Sequence, residues 1–139
     1  MRAAVGRVVS TVEDVGGSRQ EADRVLDAMA RGLDLEVATL ADVRSQVLVS
    51  ETLAVLADQP RLRDSRLTAL RSQHAEVASS LLAYLDALGD VRSAAAKLHV
   101  HPNTLRHRVR RAAEVAGIDL DDPLVRLFAS LQLRLPPGA

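Results

Sequence analysis

The sequence predicts a mostly α-helical protein in two parts, a small α/β or helical segment over residues 1–64 and a helical bundle over residues 65–139. Three observations lead there. Aromatic residues make up 1% of the 139 residues, with Tyr84 and Phe128 the only two, so the core has to come from Leu, Val and Ala packed between helices. From residue 65 onward, apolar residues recur at helical spacing between clear start and stop signals. Gln59-Pro60 and the polar run through Ser65 separate that half from the one before it.

Ala3 to Val9, where Val5 and Val9 alternate with Arg7, reads as an opening strand. Ser18-Arg-Gln-Glu21 has the spacing at which a Ser hydroxyl and a Glu carboxylate each satisfy a free backbone N–H, so a helix is expected to begin there. Its Ala22, Val25, Leu26, Met29 and Leu33 keep one face in register, and Gly32 marks its end. Leu35 to Thr39 fits a second short strand, after which Thr39 and Asp42 open a helix running towards Asp58. Leu40, Val43, Val47, Val49, Leu53 and Leu56 spread around more than one side of that helix. Such a helix needs cover on two faces, from an intramolecular core or from a subunit interface.

Beyond the break, a short helix carries Leu67 and Leu70. A second runs from Glu76 to Leu88 with Ala78, Leu81, Leu82, Leu85 and Leu88 on one face, and it ends at Gly89-Asp90. Val91 to Leu98 is a shorter, Ala-rich helix. The next starts at Pro102, with His101 as its N-cap, and continues to about Ala116, where Gly117 closes it. Asp122-Pro123 then gives an N-cap followed by a residue whose missing N–H costs nothing at the first helical position. Leu124, Leu127, Phe128, Leu131 and Leu135 form the apolar face of the last helix, which Pro136-Pro137 terminates.

Composition narrows the function. Hydrophobic residues at 47% and charged residues at 26% describe a soluble globular protein. The absence of cysteine excludes disulfides and thiolate metal sites. No run of 18 apolar residues and no signal-peptide pattern is present, so a cytoplasmic location without membrane contact is expected. A formal net charge of zero argues against a phosphate-rich partner on average, but the charge is unevenly placed. Between Val91 and Ala113 there is no Asp or Glu, while Arg92, Lys97, Arg106, Arg108, Arg110 and Arg111 all fall there with His99, His101 and His107.

In this stretch Ala95 supplies the small residue that two steeply crossing helices need where they touch. Leu98, Val100, Leu105 and Val109 supply apolar contacts beneath the turn. A helix-turn-helix results, in which His101, Pro102, Asn103, Arg106, His107 and Arg110 lie on the side facing away from the core. That side suits the major groove of double-stranded DNA: Arg106 for guanine, Asn103 for adenine or a phosphate, and Thr104 with the helix N-terminus for a phosphate oxygen. Arg92, Arg108 and Arg111 are placed for backbone contacts.

The run from Ala94 to Arg108, Ala-Ala-Ala-Lys-Leu-His-Val-His-Pro-Asn-Thr-Leu-Arg-His-Arg, with Gly117-Ile-Asp-Leu-Asp-Asp-Pro123 and a Leu-rich helix after it, resembles the C-terminal domain of PucR-type regulators, the group that includes sugar-diacid regulators. The resemblance covers Leu81 to Leu135 closely. Ser18 to Leu70 is similar, more loosely, to the end of the degenerate cyclase-like α/β domain that such regulators carry before their DNA-binding part. His101, Asn103, Thr104, Leu105 and Arg108 occupy the family's His-x-Asn-Thr-Leu-x-Tyr-Arg pattern. His107 stands where Tyr is usual and Pro102 where many members have Arg, which touches the preferred base sequence. The resemblance implies a bacterial transcriptional regulator acting as a homodimer, and a C-terminal fragment or a short member, since no sensor domain precedes the matching part.

Other chemistries have weaker support. His99, His101 and His107 are joined by no carboxylate or thiol, so no metal or cofactor is expected. Asp121-Asp122 at a helix start is better explained by capping than by acid–base catalysis, and Val15-Gly-Gly-Ser18 by a turn, so the chain is not read as an enzyme. The rival to DNA binding is a helical protein-interaction or oligomerisation module; steep salt dependence separates the two.

Overall fold

The computed structural model describes residues 1–31 and 33–136, and divides into two compact units, Met1–Val55 and Leu56–Ala139. Gly32 and Pro137, expected above to end helices, lie outside the described residues. The chain is mostly helical, with one small parallel sheet near its start.

In the first unit, β1 (Ala3–Val5) and β2 (Val37–Thr39) pair in parallel, and α1 (Val15–Ala30) crosses between them. α2 (Leu40–Ala57) follows at once. Val25, Ala28 and Met29 of α1 meet Ala38, Val43 and Val47 in one buried cluster. β1 is shorter than the alternation of Val5 and Val9 predicts, because β2 offers it only three partners. Val8 stands fully exposed beyond the pairing.

The helix start expected at Ser18 is corrected: α1 begins at Val15, one turn earlier. Ser18 therefore lies inside the helix, and its hydroxyl donates to the Arg7 carbonyl at 2.8 Å instead of capping. This crossing is tight. A Cβ on Gly6 would sit 2.1 Å from the Ser18 carbonyl oxygen, so only glycine lets the chain leave β1 past α1. At α2 the predicted entry forms: the Asp42 carboxylate accepts from the Thr39 backbone N–H at 2.8 Å and from its hydroxyl at 2.7 Å. Those bonds hold the Asp42 carboxyl below its ordinary range, the Thr39 hydroxyl contributing most. Val43 departs from helical angles and kinks α2 after its first turn.

The second unit starts with a short 3-10 turn, Pro60–Leu62, and continues through α3 (Ser65–Gln73), α4 (Ala75–Asp86), α5 (Val91–Lys97), α6 (Pro102–Ala116) and α7 (Pro123–Arg134). Asp64 caps α3 by accepting from the N–H groups of Arg66 and Leu67, both at 2.9 Å. α4 is the central element, packed against α3, α5, α6 and α7. The core joins Leu67, Leu70, Leu81 and Leu105 to Ala94, Ala95, Ala112, Ala116 and Ala129. The alanines let helices approach closely, which a core almost without aromatics requires.

α4, α5 and α6 end alike. Just past each helix, a residue donates its N–H to the carbonyl five residues back: Gly89 to Tyr84, Val100 to Ala95 and Ile118 to Ala113, all at 3.0 Å. The residue before each donor must take a left-handed conformation, and only at Gly117 is it glycine; Leu88 and His99 both adopt a φ of 53°. Leu88 is thereby turned off the α4 face assigned to it above and is 92% exposed. Leu88→Gly is expected to stabilise the protein by about 0.5–1 kcal/mol, the relief of backbone strain outweighing the freer unfolded chain. A rise of a few degrees in Tm checks it; a fall would show that the Leu88 side chain contributes more than its exposure implies.

α7 starts as predicted, the Asp122 carboxylate accepting from the Leu124 N–H at 2.8 Å. Its buried stripe differs. Leu124 and Leu127, expected inside, are 71% and 57% exposed, while Ala129, Gln132 and Leu133 are buried and Phe128 packs against the core.

Candidate nucleic-acid interface

α5 and α6 are set by local signals. Asp90 caps α5, accepting from the Arg92 N–H at 2.9 Å, the Ser93 N–H at 3.3 Å and the Ser93 hydroxyl at 2.7 Å. These bonds, led by the Ser93 hydroxyl, hold its carboxyl below the ordinary aspartate range. The turn then passes through left-handed His99, with Leu98 and Val100 packed against the core on either side. His101 caps α6 through its ring: Nδ1 accepts the Asn103 N–H at 3.1 Å. A neutral imidazole that accepts at Nδ1 carries its proton on Nε2.

Helical periodicity sorts the α6 side chains. Leu105, Val109, Ala112 and Ala116 recur at core-facing spacing and are buried. Asn103, Thr104, Arg106, His107, Arg110 and Arg111 are exposed, as are His101 at the cap and Arg92 on α5; Pro102 is half-buried. Arg106 Nη1 donates to Asn103 Oδ1 at 2.7 Å, a pairing of residues three apart on one helix face.

Arg108 stands apart. Its side chain is only 22% exposed, and Nη2 donates to the Glu76 carboxylate of α4 at 2.5 Å. The acid-free character read along the chain therefore does not hold in space, because α4 brings a carboxylate against α6. Arg108 is already engaged within the bundle, while Arg92, Lys97, Arg106, Arg110 and Arg111 make no ion pair among the described residues. Lys97, counted above among the cations but given no contact, is exposed at the last turn of α5. Among the described residues no three His, Asp or Glu side chains converge as a metal site would need.

The profile of the PucR C-terminal helix-turn-helix domain matches residues 77–135, which take in most of α4, all of α5, α6 and α7, and the site just described. Residues 77–135 form a PucR C-terminal helix-turn-helix domain. At the family level, this type of domain is that of a DNA-binding regulator. Among curated proteins the chain is similar to uncharacterized proteins of Mycobacterium tuberculosis, strain H37Rv, and of Mycobacterium bovis, each 31% identical over 126 residues. The match takes in 86% of this chain and 30% of each relative, so the chain spans under a third of the length of the curated relatives it matches. No solved structure matches it. No helix among the described residues is long and apolar enough to cross a membrane.

Proposed function

We propose that this chain is a sequence-specific DNA-binding transcriptional regulator of the PucR type, acting in the cytoplasm as a homodimer, with α6 lying in the major groove. The observation that carries this reading is the pairing of a helix-turn-helix with exposed cations that make no ion pair among the described residues, Arg106, Arg110 and Arg111 on α6 and Arg92 and Lys97 on α5. Five such charges on one helix pair, in a stretch from Val91 to Ala113 that holds no Asp or Glu, favour a polyanionic partner over a merely solvated face. Arg106 reads a base, His101, Pro102, His107 and Arg110 flank it in the groove, and Arg92 and Arg111 hold the backbone. The N-terminus of α6 with Thr104 meets a phosphate oxygen. Arg108 ties α6 to α4 through Glu76 and reaches the backbone only at the edge of that ion pair. Two copies present their recognition helices to grooves about 34 Å apart on an inverted repeat. Residues 1–64 form a regulatory segment ahead of the DNA-binding domain of 65–139.

Selection of bound sequences from random duplexes tests this. A repeated half-site in the enriched pool is expected; an unenriched pool would remove the claim of sequence specificity. Arg111→Ala should weaken all duplexes alike and reduce the slope of log affinity against log salt by about 1. A loss confined to one base position would reassign Arg111 from backbone to base.

A further inference from the structure

Asn103 and Arg106 occupy adjacent turns of the same exposed face, and the amide oxygen of one is taken by the guanidinium of the other. An asparagine that reads adenine needs its oxygen to accept from the adenine amino group while its own NH2 donates to N7. Here that oxygen faces a cation, and an adenine amino group brought to it would meet guanidinium N–H groups, donor against donor. Arginine carries five N–H groups, and the bond to Asn103 uses one. The Nε–Nη2 edge keeps its parallel pair of donors, the fork that fits guanine N7 and O6. A free arginine side chain loses much rotamer freedom when it docks, so a neighbour that holds it beforehand raises discrimination without touching the base.

Resting on the reading above, we propose that Asn103 is a positioning residue for Arg106, and that the two act as one unit, presenting donors only, to select guanine over adenine at a single base pair. Asn103 then reads no base of its own. This role would take the place of the contact with adenine or a phosphate expected of Asn103 from its position on the helix.

The experiment is a double-mutant cycle on the full chain, measuring affinity for duplexes that differ only by guanine or adenine at the base sensitive to Arg106→Ala. The wild type is expected to prefer guanine by roughly 5- to 150-fold. Arg106→Ala removes that preference, Asn103→Ala reduces it severalfold at the same base, and the double variant adds nothing further. Asn103→Asp keeps the acceptor, so it should retain most of the guanine preference while weakening binding to every duplex through repulsion of phosphate. Both positions are exposed, so circular dichroism should show the folded chain in each variant. If Asn103→Ala spares the Arg106-dependent preference and erases one at a neighbouring base, the positioning role is overturned and DNA binding stands. If the wild type binds no duplex, the functional reading falls first and the pair falls with it.

Discussion

Leu105→Ala is expected to lower the stability of the protein by about 2–5 kcal/mol. Leu105 is fully buried in the first turn and a half of α6, where it meets the core shared with α3, α4, α5 and α7. Its loss leaves a cavity in a close-packed core that can relax only in part. A domain of this kind holds only about 5–15 kcal/mol in total, so a substantial part of its margin would go. Because Leu105 sits between exposed Thr104 and Arg106, DNA binding should fail as the fold loosens, although Leu105 touches no base. Urea denaturation followed by circular dichroism gives the number. Leu105→Met, close in volume, should cost less than about 1.5 kcal/mol. Equal losses for the two substitutions would mean that shape, and not buried volume, governs the site.

Gln132→Leu should be nearly as damaging, despite placing an apolar residue at an 8% exposed position. The Gln132 amide spans about seventy residues of chain: its Oε1 accepts the Asp64 N–H at 3.0 Å and its Nε2 donates to the Leu62 carbonyl at 2.7 Å. Leucine fills the volume and leaves both backbone groups without their side-chain partner, at about 1–3 kcal/mol for the Asp64 N–H and less for the carbonyl of Leu62, a residue 43% exposed. The Asp64 N–H lies at the cap of α3, so the start of that helix should fray as well. A loss of several kcal/mol in Gln132→Leu, with a smaller one in Gln132→Glu, which keeps an acceptor, is the expected pattern. Stabilisation by leucine would show that hydrophobic burial outweighs the two bonds.

What could be read from the chain was local. Pro102 and Gly117 bound α6 because a fixed φ and a left-handed residue act within one turn, and Asp122-Pro123 opens α7 for the same reason. The β–α–β order of the first unit followed from short alternating runs around one amphipathic helix. What escaped depends on contacts between distant residues. Ser18 looked like a cap until Gly6 and Arg7 passed close to it, and Gln132 looked like one polar residue in a leucine stripe. Leu88, Leu124 and Leu127 satisfy helical spacing, yet the fold turns them outward. In the candidate site, the exposure of Asn103, Arg106, Arg110 and Arg111 was legible from period alone. The Glu76–Arg108 ion pair was not, since thirty-two residues separate the partners and only the packing of α4 on α6 brings them together.

The central claim is that unpaired cations on α5 and α6 meet phosphate. Its most direct measurement is the affinity of the full chain for a selected duplex across a salt series. Two or three phosphates neutralised per protomer, by Arg92, Arg111 and Lys97, predict a straight line of log affinity against log salt with a slope of about −2 to −3 for each bound protomer. A line that stays flat as salt rises would place an apolar contact, and not the DNA backbone, against this face.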